Sequence, residues 1–534
     1  MQKYYSPYIC SYENSEKYIN ENFNWEIHKE SKETMTFNFL HLFVNDFKPI
    51  IPEFFLLTTT IFLSVYGAFF TTSKDKNFPV LSGNVARLGL LILGFTFLLV
   101  LNSPIQRAVF FYNCLTIDDL SFFLKVLILI SSFVSILISL DYLKQEKLNS
   151  FEPIILILIS TASMLLMVSS YDFISMYLAI ELQSLSFYVL AASKRNSEFS
   201  TEAGIKYFLL GAFSSGVLLF GCSIIYGFTG ITNFEELAKL FSGLGKLSFL
   251  FSSGILLGIL FLAVGFLFKL TAVPFHMWAP DVYEGAPTSI TAFFLITPKI
   301  AVFGLFMRLF LYSFYDFLFS WQSIILFCSI ASMILASFAA MSQKKLKRLM
   351  VYSAIGHVGY MLLAFSCGSI EGIQALLLYI FVYVVMTVNM LASILALRQQ
   401  GQGFSVKYIS DLHKLAKLNP LLAINMSLNL FSIAGIPPLA GFCSKFYLFY
   451  AALGSSLYIG ALVGVLTSVV SCFYYIRLIK IMYFENQKTW VLYETMDKEK
   501  SLIIGATFFF ILFFFLYPSP IFLLTHKIAL SILF

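Results

Sequence analysis

The sequence predicts an all-α polytopic membrane protein of about fourteen transmembrane helices, with two inverted five-helix repeats that each hold one discontinuous helix. Three observations predict it. First, 59% of the 534 residues are hydrophobic and only 12% are charged, with a mean hydropathy of +0.83. A soluble domain carries roughly 25% charge, so this chain cannot cover a water-facing surface. Second, apolar runs recur from Ile50 to Leu524, each about 18 residues or longer and so able to cross a hydrocarbon layer of ~30 Å. Third, two of these runs are broken by proline in matching ways, at KLTAVPFH (269–276) and AGIPPLAGFCSK (434–445). Helices satisfy their own backbone polar groups in lipid, and the short alternating segments of a barrel do not occur.

The spans fall near 50–70, 84–103, 119–141, 151–170, 172–193, 202–228, 248–284 (interrupted), 287–313, 320–341, 345–365, 372–398, 420–452 (interrupted), 457–484 and 501–523. Residues 1–36 form a polar extension with six Glu, four Lys and no Arg. A transit peptide is basic and poor in acids, so none is read here; Met35 is an alternative start. Helices 1–3 occupy 37–150, the first repeat (helices 4–8) 151–313 and the second (helices 9–13) 320–484. A loop and helix 14 complete 485–534. The segments 233–244 and 405–418 are short and amphipathic and are expected along the membrane surface.

Charge placement sets orientation. Loops after odd-numbered spans and their flanks hold seventeen Lys and Arg, among them Lys74, Lys76, Lys144, Lys147, Lys194, Lys344, Lys345, Lys347, Arg348, Arg398, Lys407 and Lys500. Loops after even-numbered spans hold three, Arg107, Lys239 and Lys246. The positive-inside rule puts the odd loops on the matrix or cytoplasmic side and both termini opposite. The two proline breaks lie five spans apart, and an odd offset reverses helix direction. That is the pattern of an inverted repeat with broken helices at a transport site.

The seven cysteines (10, 114, 222, 328, 367, 443, 472) are scattered singly. No iron–sulfur or zinc spacing occurs, and no nucleotide-binding fingerprint. Metal and cofactor sites are therefore expected to be absent from this chain. The chemistry must come from charges inside apolar spans. Such a group costs roughly 2.5–3.5 kcal/mol or more at mid-membrane, and persists where it pairs, reaches water or does a job.

Glu181 lies deep in SMYLAIELQSLSFYVLAA; it reads either as half of a structural ion pair or as a carboxylate that tunes a lysine. Lys269 stands just before Pro274, where proline frees carbonyls that can hold water; the alternative is a lysine snorkelling from a helix end. Lys206, near a span start and four residues after Glu202, reads equally as snorkelling. Lys299 follows Pro298 and is deeper. Lys347 belongs to KKLKR, most simply an interface anchor. Lys445 follows the second break. His276 and His357 are either packing residues or relays, since histidine titrates near neutrality. Glu53 and Asp172 read as interfacial, and Arg308 as snorkelling.

Lysine suits proton transfer because burial makes it release its proton more readily, while a nearby carboxylate restores its hold. Opposite charges 4 Å apart attract by about 4 kcal/mol at an effective dielectric of 20. Moving a proton against 100 mV takes about 2.3 kcal/mol, so one pair switch is large enough to matter. The expected relay is Glu181, Lys269, Lys206, Lys299, Lys347 and Lys445, bridged by water and His276 or His357.

The stretches DFISMYLAIELQSLSFYVLAASKRNSEFSTEAGIKYFLLGAFSSG, GFLFKLTAVPFHMWAPDVYEGAPTSITAFFLITPKIA, KLKRLMVYSAIGHVGY and FSIAGIPPLAGFCSKFYLFYAALG resemble the subunit 2 family of mitochondrial NADH:ubiquinone oxidoreductase, subunit N in bacteria. The ending FLYPSPIFLLTHKIALSILF is similar to plant and algal mitochondrial forms. The resemblance covers about 48–534. It implies a proton-translocating, antiporter-like subunit of the membrane arm of respiratory complex I, in the mitochondrial inner membrane with odd loops in the matrix. It implies NADH, FMN, iron–sulfur clusters and ubiquinone on partner subunits, a neighbouring antiporter-like subunit and membrane lipids as contacts, and no nucleic acid. It assigns Glu181 as carboxylate partner, Lys269 as switch lysine with Lys206 beside it, Lys299 and Lys347 as central relay, and Lys445 near the exit. The alternatives are a cation/proton antiporter subunit, a non-pumping membrane-arm scaffold, and the related chloroplast or cyanobacterial subunit.

Overall fold

The computed structural model describes residues 46–70, 82–103, 108–146, 151–243, 249–398, 406–485 and 495–533. The extension 1–36 with Met35 lies outside them, as do Lys74, Lys76, Arg107, Lys147, Lys246 and Lys488. By its contacts the chain divides into Met1–Ile51 and Pro52–Phe534. Of the first unit only residues 46–51 are described, and the account below concerns the second.

Twelve helices among the described residues are long and apolar enough to cross a bilayer. They are α1 (Phe47–Phe70), α2 (Ser82–Leu101), α3 (Asp119–Gln145), α4 (Glu152–Ser169), α5 (Phe173–Ala191), α6 (Glu198–Thr229), α8 (Phe249–Leu270), α10 (Thr288–Met307), α11 (Leu318–Met341), α12 (Leu346–Ser366), α13 (Ile370–Ala396) and α16 (Tyr458–Tyr483). Between them lie α7 (Phe234–Gly243) and α9 (Trp278–Gly285), and the second broken span is α14 (Pro420–Ala434) with α15 (Ala440–Gly454). The surface helix expected at 233–244 is α7, which buries Phe234, Leu237 and Phe241.

The span expected at 501–523 is not one helix. It is α17 (Lys498–Phe513) followed by α18 (Ser519–Leu533). The sequence YPSP (517–520) explains the break, because Pro518 and Pro520 cannot extend a helix through them. Sixteen residues of α17 reach about 24 Å at 1.5 Å per residue. The segment between α2 and α3 also differs from the expected loop. It holds an antiparallel hairpin, β1 (Ala108–Phe110) and β2 (Leu115–Ile117), turned by Phe111, Tyr112 and Asn113 at positive φ.

The helices are greasy outside and polar inside, the reverse of a soluble bundle. On α5, Ile174, Leu178, Leu185 and Val189 point outward, while Gln183, Ser184 and Ser186 are buried. This stripe fits a lipid surround; a soluble protein rarely exposes apolar area on this scale. The centre of the bundle is α10, buried along its whole length and packed against α3, α4 and α13. After Met307 its backbone widens into a π turn over Arg308–Ser313.

Three charges differ from expectation. Glu53 is not interfacial: it is 1% exposed and ion-paired to Lys125 of α3 at 2.5 Å. Arg308 does not snorkel. It is buried and donates to Thr116 Oγ1 at 2.6 Å, Asp118 Oδ2 at 2.9 Å and the Ser170 carbonyl at 3.4 Å. A guanidinium carries five donors, and partners supplied by β2, the residue before α3 and the residue after α4 remove its need to reach water. Asp172 is also buried and caps α5 by accepting from Ile174 N at 3.3 Å.

Candidate functional site

The first break begins where Thr271 adopts a left-handed φ of 66° after α8. Lys269 lies in the last turn of α8, its Nζ buried and without a hydrogen-bond partner. Glu181 on α5 has one carboxylate oxygen equally unpartnered, while the other accepts from Ser184 Oγ at 3.3 Å. The two residues lie within reach of each other's field but form no ion pair within 4 Å. A cavity of about 20 Å³ opens beside Lys269, lined also by Ser184, Tyr207, Trp278 and Pro298. That is room for a water molecule. Trp278 closes it from α9, stacked on Tyr207 at 4.6 Å and Phe268 at 5.4 Å, and it donates to the Phe268 carbonyl at 3.2 Å.

Lys299 follows Pro298 on α10 but does not line that cavity. The Lys299 ammonium is 4% exposed and donates to Tyr383 OH at 2.9 Å and to the Ala354 carbonyl at 3.4 Å. Tyr383 OH in turn donates to the Leu295 carbonyl at 3.1 Å. The Tyr383 ring lies 5.5 Å from the His357 ring, and His357 Nδ1 meets Tyr379 OH at 2.8 Å. The fields of Lys299 and Lys445 both reach His357. A cavity of about 10 Å³ joins Tyr383 and His357, and another of about 20 Å³ joins His357, Tyr360 and Lys445.

Lys445 sits at the second break. Its Nζ donates to the carbonyls of Ile433 and Ala434 at 3.0 and 2.9 Å, and lies 5.1 Å over the Tyr360 ring. These are the last carbonyls of α14, which a helix end leaves without partners and which carry its negative dipole end. The break needs glycine twice. Gly435 has φ +92°, and a Cβ there would lie 3.0 Å from Lys445 Cδ; a Cβ on Gly441 would run into the Ser432 carbonyl.

Lys206 and Lys347 occupy a different space. Residues 206 and 207 point apart: Tyr207 lines the Lys269 cavity, whereas Lys206 is exposed in a funnel of about 620 Å³. Lys206 pairs with Glu202 at 2.6 Å and Asp281 at 3.4 Å. Lys347 donates to the Ala286 carbonyl at 3.0 Å at the rim of α9. Lys194, Lys345, Arg348 and Lys407 line the same funnel, so the segments that follow α5, α11 and α13 meet there. His276 is buried in the first break with Nδ1 unpartnered.

With this geometry in place, the comparisons bear on it. Residues 170–471 match the family model described as NADH:quinone oxidoreductase/Mrp antiporter, TM. The chain belongs to that family. Within this membrane-antiporter family, it is 62% identical to the NADH-ubiquinone oxidoreductase chain 2 of Marchantia polymorpha, over 92% of this chain and all of the relative. It is 43% identical to the NADH-quinone oxidoreductase subunit N of Paramagnetospirillum magneticum, over 92% of this chain and 98% of the relative. A chain in the structure of respiratory complex I from Thermus thermophilus superposes with a TM-score of 0.73 at 26% identity, covering 88% of this chain and 98% of its own. A chain of the Mrp complex from Dietzia shares the fold, with a TM-score of 0.77 at 16% identity over 91% and 98% of the two chains. Among the described residues of this family member, no group of three His, Cys, Asp or Glu is placed to hold a metal ion.

The sequence reading passed over Tyr383, Tyr379 and Tyr360, and the acidic pair Asp281 and Glu284. Both had a signal. Tyr379, Tyr383 and Thr387 recur every four residues along one face of α13. Asp281 and Glu284 follow the first break three residues apart, so they too share a helix face, and both meet Arg348, at 3.5 and 3.3 Å.

Proposed function

We propose that this chain is the antiporter-like subunit 2 of a respiratory complex I membrane arm, and that it moves protons along Glu181, Lys269, Lys299, His357 and Lys445. NADH oxidation and ubiquinone reduction take place on partner subunits, which carry the FMN and iron–sulfur clusters, and a second antiporter-like subunit is a neighbour. The single observation that supports the proton row is that His357 adjoins both lysines: its ring lies 5.5 Å from that of Tyr383, which accepts from Lys299, and it shares a cavity with Lys445.

Lys269 and Glu181 supply the switch. They are apart in this structure, with Nζ and one carboxylate oxygen both unpartnered. At about 4 Å they would gain roughly 4 kcal/mol. Closing the pair holds the proton on Lys269 Nζ, and opening it releases the proton into the cavity at Pro298. Lys299 Nζ takes it up once it has passed its own proton on, with the Tyr383 hydroxyl and the His357 ring between it and Lys445 Nζ. Lys206 and Lys347 load protons from the funnel, and His276 serves the first break. The lysine-rich funnel face lies toward the matrix of a mitochondrial inner membrane, and both termini lie toward the intermembrane space.

The test replaces Lys299 or Lys445 by alanine in the assembled complex and measures protons moved per electron passed from NADH to ubiquinone. The expected result is continued electron transfer with a lower ratio. An unchanged ratio in fully assembled complex would leave a scaffold, and a dependence on a sodium gradient would leave a cation antiporter.

A further inference from the structure

The second repeat contains a buried polar cluster that the proton row does not use. Asn389 and Ser393 come from α13, Asn425 and Asn429 from α14, and Thr507 from α17. Asn389 and Asn425 are 0% and 4% exposed. Their side chains bond each other in both directions: Asn389 Nδ2 donates to Asn425 Oδ1 at 2.9 Å, and Asn425 Nδ2 donates to Asn389 Oδ1 at 3.0 Å. The remaining N–H groups donate to Thr507 Oγ1 at 3.0 Å and Ser393 Oγ at 2.9 Å. Each amide of the pair therefore uses both donors and accepts one bond at its oxygen, while the neighbouring Asn429 leaves its Oδ1 without a partner.

Titratable groups flank this cluster on both sides. Along α14, Asn425, Asn429 and Ile433 share a face, and the Ile433 carbonyl accepts from Lys445 Nζ. Asn425 therefore lies about 12 Å along the helix from the Lys445 site. In the other direction, α17 runs from Thr507 to Lys500, about 10 Å away along the helix. Lys500 is 2% exposed and pairs with Asp497 at 2.8 Å and Asp141 at 3.6 Å. Asp141 adjoins Tyr142, which lines the funnel. Charged groups thus stand on both sides of the amide pair, Lys500 along α17 and Lys445 at the far end of α14.

A proton relay must accept a proton at one end and release one at the other. Carboxylates, imidazoles, amines and water do so near neutral pH, whereas a carboxamide does not. The amide pair leaves no free N–H, and a carboxamide oxygen that only accepts cannot pass a proton on to the next water. We propose that the Asn389–Asn425 pair is a proton-tight seal on the funnel side of Lys445, so that Lys445 exchanges protons through His357 and not directly with that face. The pair also ties the first half of the broken helix to α13 and α17. The inference rests on Lys445 being a proton station.

The test uses the assembled complex in sealed inner-membrane vesicles. Asn425→Asp puts a titratable carboxyl where the amide stands. Passive decay of an imposed pH gradient, with no NADH present, is expected to become severalfold faster. The double variant Asn389→Leu with Asn425→Leu replaces both partners by apolar groups of similar size, a change that is often nearly neutral. It is expected to stay tight and to pump at the unaltered proton-to-electron ratio. Tight vesicles with assembled Asn425→Asp overturn the seal. So does a lowered ratio in the double variant, which would make the cluster a conducting path. Failure of both variants to assemble also counts against it, because a seal without other duties tolerates the apolar pair. Lys445→Ala in the same membranes separates the two levels. A normal ratio there removes the proton row itself, whereas a lowered ratio beside a tight Asn425→Asp removes the seal alone.

Discussion

Lys299 and Tyr383 share a hydrogen bond of 2.9 Å between buried partners, and the tyrosine turns its own proton to the Leu295 carbonyl at 3.1 Å. The hydroxyl is thus an acceptor toward the ammonium and a donor toward α10. Lys299 also donates to the Ala354 carbonyl at a longer 3.4 Å. The tyrosine is the closer of the two groups that make a buried charge tolerable here.

Tyr383→Phe removes that acceptor with little change in shape. A hydrogen bond to a charged group contributes roughly 1.5–3 kcal/mol, which favours loss of the proton from Lys299. The complex is expected to assemble and oxidise NADH, with a lower proton-to-electron ratio. The check is the ratio in sealed vesicles against a Tyr379→Phe control. An undiminished ratio for Tyr383→Phe would take this hydroxyl out of the relay.

Gly435→Ala acts on the second break. An alanine at φ +92° is strained by about 1–2 kcal/mol, and its Cβ would lie 3.0 Å from Lys445 Cδ. The substitution is expected to displace Lys445 from the Ile433 and Ala434 carbonyls. Complex level on native gels should fall modestly, and the proton-to-electron ratio should fall more than the level does. Equal losses in the two measurements would assign Gly435 to folding alone.

Much of this arrangement was legible in the residues. Apolar run length located the spans, and the two proline breaks marked where Lys269 and Lys445 would stand. What escaped the sequence was partnership across helices. Glu53 looked interfacial because it stands near a span end, yet Lys125, six residues into α3, completes it. Arg308 looked free to snorkel, but its partners come from segments more than 130 residues away along the chain. Lys206 and Tyr207 are adjacent in sequence, and only the helix turn between them sends one to the funnel and the other to the Lys269 cavity. Periodicity gives the face of a helix, and the identity of the facing neighbour needs the fold.

The Glu53–Lys125 pair gives a stability prediction. Removing one member of a buried pair strands a charge and destabilises by about 3–5 kcal/mol, whereas replacing both by apolar groups is often neutral or better. Glu53→Leu and Lys125→Met alone are each expected to lower the melting temperature of the complex. The double substitution should recover most of the loss. A double variant as weak as the singles would show that the pair has a role besides neutralising itself.

The last prediction contrasts Lys206 with Lys299. Lys206 is 43% exposed and held by Glu202 and Asp281, and exposed ion pairs contribute little to stability. Lys206→Ala should therefore leave assembly and melting temperature unchanged. On the proposed path Lys206 supplies protons from the funnel and is not a station inside the bundle, so maximal turnover should slow while the proton-to-electron ratio holds. Asp281→Asn should act in the same way, with an effect that shrinks as salt rises, because exposed charges are screened. Lys299→Ala should do the opposite, lowering the ratio. The comparison needs only turnover and ratio on the same vesicles. A Lys206→Ala complex that loses its ratio as fully as Lys299→Ala would place Lys206 in the row itself, and would require the side chain to leave Glu202 and Asp281 and swing toward Lys269 during the cycle.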